Sequence, residues 1–187
     1  MQIKKEEIIV DKDTVKHWRS LLGIIATRLN VPVALIMKIN LPDIEVFIAN
    51  ESEANPYKVG ESTRLLGSGL YCENVCKNKK RLLVPNALKD KEWDKNPDIK
   101  LGMISYMGFP ILWPDGEIFG TTCVLDVKEN AYNMKFRDII SLFKEYIEAY
   151  LDLALSKYFK KDEKEISKKN LYYQSLFFKV EKILHDK

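Results

Sequence analysis

Apolar side chains at Val15, Trp18, Leu21, Leu22, Ile25 and Leu29 recur every three or four residues, which predicts a helix over residues 11–30. Asp13 or Thr14 stands where its cap belongs, and Asn30 with Pro32 ends it. Val33 to Ile39 then reads as a compact apolar strand. Leu41-Pro42-Asp43 is a turn, and Ile44 to Ala49 returns as the second strand of a hairpin. Residues 50–60 are polar and irregular. Gly67-Ser68-Gly69 punctuates the chain before a short helix expected over Leu70 to Asn78, and a short strand over Leu82 to Val84 stops at Pro85. Residues 86–102 form a long, mostly polar connection that holds Trp93, Asn96-Pro97-Asp98 and Gly102. Connections of this kind often cover binding sites.

The strongest local pattern runs from Ile104 to Asp126, where two apolar runs flank the hairpin turn Asp115-Gly116. A two-residue loop there places Tyr106 opposite Leu125, Gly108 opposite Cys123 and Pro110 opposite Thr121, all on one face. The other face pairs Met107 with Val124, Phe109 with Thr122, Ile111 with Gly120 and Trp113 with Ile118. Both faces are apolar enough to be covered. The bulky Met107, Phe109, Ile111, Trp113 face suits helices. The face of Tyr106, Gly108, Pro110, Thr121 and Cys123 is smaller and partly polar, and it leaves room for a ligand beside the sheet.

From Met134 a long helix is predicted, with Phe136, Ile140, Phe143, Ile147, Tyr150, Ala154 and Tyr158 close to a heptad seam. Charged residues from Lys160 to Glu165 interrupt it, read as a solvated segment with mixed ion pairs. Ile166, Tyr173, Phe177, Val180 and Leu184 resume the rhythm. With no Pro or Gly after Gly120, nothing forces a break. The expected organisation is a domain over residues 1–158 and a protruding C-terminal helix, suited to a coiled coil, over residues 159–187.

Composition narrows the chemistry. The chain has 187 residues, 46% of them hydrophobic and 30% charged, which fits one folded domain with an appendage. A balance of 30 basic against 27 acidic residues leaves +3, too even to argue for nucleic acid or an anionic membrane. No apolar run approaches the roughly 18 residues of a spanning helix, and Met1 to Glu7 does not open a signal peptide. The expectation is a cytoplasmic protein without a nucleic-acid or membrane partner. Three cysteines do not make a disulfide framework. The only histidines, His17 and His185, stand near the ends, where packing or surface roles are expected. Their placement removes most zinc enzymes, His-based triads and His-ligated haem, and no metal site is expected.

Two segments carry a family resemblance. Gly67-Ser-Gly-Leu-Tyr-Cys-Glu-Asn-Val-Cys-Lys-Asn-Lys-Lys-Arg-Leu-Leu-Val-Pro-Asn86 resembles the central helix and following strand of GAF domains. Met107-Gly-Phe-Pro-Ile-Leu-Trp-Pro-Asp-Gly-Glu-Ile-Phe-Gly-Thr-Thr-Cys-Val-Leu-Asp126 resembles their signature hairpin. The resemblance spans residues 12–158. It implies an α+β fold with a central antiparallel sheet of about six strands. Terminal helices, which often dimerise, pack on one face, and a ligand pocket under loops and short helices lies on the other. It further implies a module of histidine kinases, diguanylate cyclases or transcription regulators, signalling through a C-terminal helix. Residues 168–177 resemble linkers into a PAS or output domain.

Specific activities of such domains match less well. For cyclic nucleotides, Asn130 and Phe136 lie in the right region, but no Asn-Lys pair is present and Ile140-Ser141 replaces the Asp-Glu pair. For free methionine-(R)-sulfoxide reductases, the catalytic cysteine falls near Ile99, the cysteine before the central helix near Tyr71 with Cys72 one place off, and the carboxylates near Tyr106 and Leu125, so the match fails at most positions. Cys72 and Cys76 share a helix face and read first as small buried hydrophobes; a thiol cluster with Cys123 requires that helix to cover the Tyr106 face. Gly67-Ser68-Gly69 could cradle an anion, although a turn with Ser68 as helix cap is the simpler reading. Asp126 is expected to cap the following turn.

The resulting expectation is a non-catalytic sensor that binds an unknown small molecule, forms a homodimer through its terminal helices, and acts on an output domain or partner kinase. Its candidate ligand-binding residues are Tyr71, Trp93, Tyr106, Gly108, Thr121 and Cys123, with Trp93 equally able to serve as lid or plug. No cofactor is identified. A ligand-free dimerisation scaffold and a thiol-dependent enzyme such as a methionine sulfoxide reductase are the alternatives.

Overall fold

The structure, a computed structural model, describes residues 10–185. The reading of Met1 to Glu7, and the first nine residues of the expected domain, lie outside the described residues. Six antiparallel strands form one sheet in the order β3-β2-β1-β6-β5-β4. They are β1 (Val33–Asn40), β2 (Asp43–Ala49), β3 (Ser62–Arg64), β4 (Leu82–Val84), β5 (Ser105–Leu112) and β6 (Ile118–Asp126). The helices are α1 (Lys12–Leu29), α2 (Tyr71–Asn78), α3 (Met134–Tyr158) and α4 (Glu163–His185). The α+β architecture and its sheet agree with the expectation. The exposed three-residue strand β3 was not foreseen.

Strand alternation divides the interior in two. Ala34, Ile36, Met107, Phe109, Ile111 and Val124 join Trp18, Leu22, Phe143 and Ile147 in a core beneath α1, α3 and α4. Val33, Leu35, Met37, Tyr106, Cys123 and Leu125 join Val75 and Trp93 in a second core beneath α2 and the connecting loops. The hairpin register follows the expected pairs from Tyr106↔Leu125 to Ile111↔Gly120. It then shifts at a bulge, so Leu112 rather than Trp113 opposes Ile118. The turn is closed by Gly116 N–H donating to the Trp113 carbonyl at 2.8 Å and Trp113 N–H to that of Glu117 at 2.8 Å. The Leu112 N–H beside the bulge donates to Glu148 of α3 at 2.8 Å, so this irregular position keeps a partner.

Asp11, rather than Asp13 or Thr14, caps α1: its carboxylate accepts from the Thr14 N–H at 2.9 Å. The C-terminal segment departs further from expectation. After α3 the chain turns at Lys160, in the left-handed region (φ 48°), and α4 folds back on α3 instead of protruding. Leu176, Val180 and Leu184 enter the α1–α3 core, and the Tyr146 and Tyr173 rings stack at 4.8 Å with hydroxyls 2.6 Å apart. Burial of this apolar stripe outweighs continuation of the helix. Arg28 of α1 donates to the Leu184 carbonyl at 2.7 Å, tying down the last turn of α4.

Gly108 illustrates how tightly the second core is filled. A Cβ there would overlap the Tyr106 hydroxyl and sit 2.7 Å from its ring Cε1. The space left by the glycine holds Tyr106, whose side chain is fully buried. Gly108→Ala is expected to destabilise the fold by about 1–3 kcal/mol. Denaturant unfolding measures this, and an unchanged midpoint would reject the packing described.

Candidate functional site

Between the sheet and the α2 side lies a cavity of about 410 Å³, within the range of small-molecule sites. Leu35, Met37, Ile44 and Val46 from β1 and β2 wall it with Tyr106, Cys123 and Leu125 from β5 and β6. Tyr57, Leu70, Cys72, Pro97, Asp98 and Leu101 close it from the loops and α2. Glu61, Ser62 and Thr63, at and before β3, complete it on its exposed side.

Each closing element is fixed by local chemistry. Asn50 accepts the Ala34 N–H at 2.8 Å and the Asn55 amide at 2.8 Å, pinning the loop that carries Tyr57 to the start of β1. Asn96 accepts the Asp98 N–H at 2.9 Å and donates to the Gly69 carbonyl at 2.8 Å, joining the Pro97–Leu101 turn to the entrance of α2. Gly102, at φ 82°, ends that turn in a conformation costly for other residues.

The central polar group is Asp98. Its side chain accepts from the Tyr57 hydroxyl at 2.8 Å while the residue is 8% exposed. Burial raises its pKa, opposed by the Tyr57 hydrogen bond. Burial and the Asp98 charge push the Tyr57 hydroxyl well above its ordinary value. Among the described residues, no Lys, Arg or His lines the cavity, and no group of three or more His, Cys, Asp or Glu could hold a metal.

A sulfur cluster forms the adjoining wall. Thr121 donates to the Cys72 Sγ at 3.4 Å, and the Tyr106 hydroxyl lies 3.5 Å from it. The Cys123 hydrogen bond, with those of Thr121 and Tyr106, lowers the Cys72 pKa against the effect of burial. The same Cys72–Cys123 bond, followed by burial, pushes Cys123 up. Cys76 is also buried, and its pKa is raised chiefly by burial.

Of the residues expected to bind a ligand, the structure places Tyr106 and Cys123 in the cavity wall. Thr121 stands behind Cys72, and Gly108 beneath Tyr106. Tyr71 stacks on Tyr106 at 4.8 Å and packs at a tilt against Trp93 at 5.4 Å. Trp93 is therefore a packed plug within the second core, not a lid over the cavity. The glycine turn does not stand open either. Glu73 accepts N–H groups of Gly67 at 2.6 Å and Gly69 at 2.9 Å, occupying the place an anion would take. Ser68 accepts the Leu70 N–H at 3.1 Å, and α2 has no side-chain cap. Asp126 accepts the Lys128 N–H at 3.4 Å and the Asn130 amide at 3.3 Å, as a turn cap does.

Sequence reasoning missed Asp98, Tyr57 and the β1–β2 wall. Asn96-Pro97-Asp98 with Gly102 carries the signal of a capped turn, but not of a buried carboxylate. Because the pKa of Asp98 is raised on folding, the native state binds its proton more tightly. Stability then declines as pH rises from the unfolded carboxylate value, about 3.9, through the folded one. The titratable groups feeling its charge are Tyr57, Tyr71, Cys72 and Cys123. Asp98→Asn is expected to raise the Tm at pH 7 by at least about 2 °C. The gain should shrink toward pH 4. A lower Tm for the variant at pH 7 would reject the buried-carboxylate assignment.

No protein-family model matches the chain, and no curated protein matches it in sequence. Solved structures share its fold. The GAF domain of an Acinetobacter phosphoenolpyruvate-protein phosphotransferase matches with TM-score 0.52 and 15% identity, over 84% of this chain and 96% of that one. The blue-light absorbing form of the Thermosynechococcus elongatus PixJ GAF domain gives 0.59 and 10%, over 77% and 90%. A type II free methionine-R-sulfoxide reductase from Thermoplasma acidophilum gives 0.51 and 10%, over 76% and 95%. No helix among the described residues is long and apolar enough to cross a membrane. With TM-scores of 0.51 to 0.59 over about three quarters or more of its length, the chain has the fold of a GAF domain.

Proposed function

We propose that this protein is a small-molecule-sensing GAF regulatory module of a cytoplasmic signal-transduction system, with no catalytic role of its own. The observation that carries this reading is the cavity of about 410 Å³: apolar over most of its wall, with a buried carboxylate turned into it. A core filled only for stability has no use for such a group. Structural neighbours named as a GAF domain of a phosphotransferase and a light-absorbing GAF domain support a sensory role. The absence of basic side chains from the wall, among the described residues, argues against cyclic nucleotides and other phosphates.

The ligand acts by favouring one packing of β1 and β2 over another. The helical layer behind the sheet carries that difference to a second copy and to an output domain or partner kinase. Leu171 and Phe178, seven residues apart on α4 and 64% and 68% exposed, supply the surface for a homodimer. A thiol-dependent enzyme is the second reading, favoured by the hydrogen bonds of Cys72 with Cys123, Thr121 and Tyr106 beside the cavity. It ranks below the first because no histidine lines the cavity, among the described residues, to serve as base.

Native mass spectrometry of freshly purified protein tests both parts together. The expected spectrum is a dimer carrying a small ligand, and Val46→Phe, which fills the cavity, should remove the added mass while keeping the dimer. A bare dimer would favour the scaffold, and loss of a methionine sulfoxide substrate under turnover with a thiol reductant would favour the enzyme.

A further inference from the structure

The cavity wall is unbalanced in charge. Two carboxylate residues line it, Asp98 buried and Glu61 exposed, and no cationic side chain does, among the described residues. Among the described residues, Asp98 has a single side-chain partner, the neutral Tyr57 hydroxyl. A buried carboxylate is retained only when a partner compensates its lost hydration. One neutral hydrogen bond does this incompletely, because a carboxylate offers about four acceptor positions. Most of the remaining wall is apolar, with Leu35, Met37, Ile44 and Val46 on the sheet side, which suits a hydrocarbon body, and its polar groups are uncharged hydroxyls and thiols such as Ser62, Thr63 and Cys72. The missing component is therefore a cation with hydrogen-bond donors on an apolar skeleton.

We propose that the cavity takes a small organic amine, its ammonium group seated on Asp98 and its apolar body against β1 and β2. This rests on the sensory reading above and names its ligand class. The ammonium supplies donors to the carboxylate positions that Tyr57 leaves free, and its charge offsets that of Asp98 in surroundings of low dielectric. Glu61 adds an attractive potential at the exposed side. Anionic ligands meet two like charges and no counter-charge. Neutral ligands fill the same volume but leave Asp98 uncompensated.

Three probes of similar shape separate these cases: phenethylamine, 2-phenylethanol and 3-phenylpropionate, titrated calorimetrically into the full chain at pH 7. The amine is expected to bind about ten- to a hundredfold more tightly than the alcohol, and the carboxylate most weakly. Asp98→Asn should keep binding of the alcohol and bring the amine to within about threefold of it. Val46→Phe should weaken amine and alcohol alike, placing both in the cavity. Alcohol or carboxylate binding as tight as that of the amine overturns the proposal while leaving the sensory reading intact. So does an amine preference that survives Asp98→Asn. Failure of all three probes to bind the wild-type chain also overturns it; the sensory reading falls with it only if native mass spectrometry finds the chain bare.

Discussion

Burial of both faces of one antiparallel sheet is the constraint on which everything else depends. Alternate residues of β1, β5 and β6 must serve two different interiors. On the helical side the demand is met with bulk, from Phe109, Ile111 and Trp113 against Trp18 and Phe143. On the other side, short elements and loops must cover the same length of sheet. They do so incompletely over β1 and β2, where the cavity remains. Over β5 and β4 they are helped by the aromatic series Trp93, Tyr71 and Tyr106.

That division separates rigid from adaptable parts of the site. Tyr106 is held by Gly108 beneath it, Tyr71 against its face and Cys72 at its hydroxyl. Asp98, in contrast, rides on a single turn of chain between Asn96 and Gly102 at the cavity wall. Its position depends on side-chain hydrogen bonds of Asn96 and Tyr57 rather than on a strand ladder. Segments held in this way open at lower free energy than the strands they cover.

Much of the fold was legible because periodicity is a direct record of burial. The β5–β6 register could be read from Asp115-Gly116 and the two apolar runs, up to the bulge. The bulge could not, since the Leu112 N–H beside it finds its partner in Glu148, far along the chain. The return of α4 was hidden for a related reason. No proline or glycine marks the turn, and tertiary contacts, chiefly the fit of Leu176, Val180 and Leu184 to the core under α1 and α3, decide it. The candidate site was less legible still. Tyr106 and Cys123 followed from strand alternation. Asp98 and Tyr57 sit in irregular segments with no period, so nothing in the sequence distinguishes a buried carboxylate from the solvated Asp94 or Asp90 nearby.

The Arg28 contact has a mechanical corollary. Arg28 grips the last turn of α4 from the end of α1. Five residues later the chain enters β1, and Leu35 and Met37 of that strand form part of the cavity wall. The path from cavity wall to the C-terminal helix is thus a few peptide units and one hydrogen bond long, and it runs beside the packed helical core rather than through it. A rigid displacement of β1 would be delivered to the tip of α4 before the interior of the helical layer has to repack.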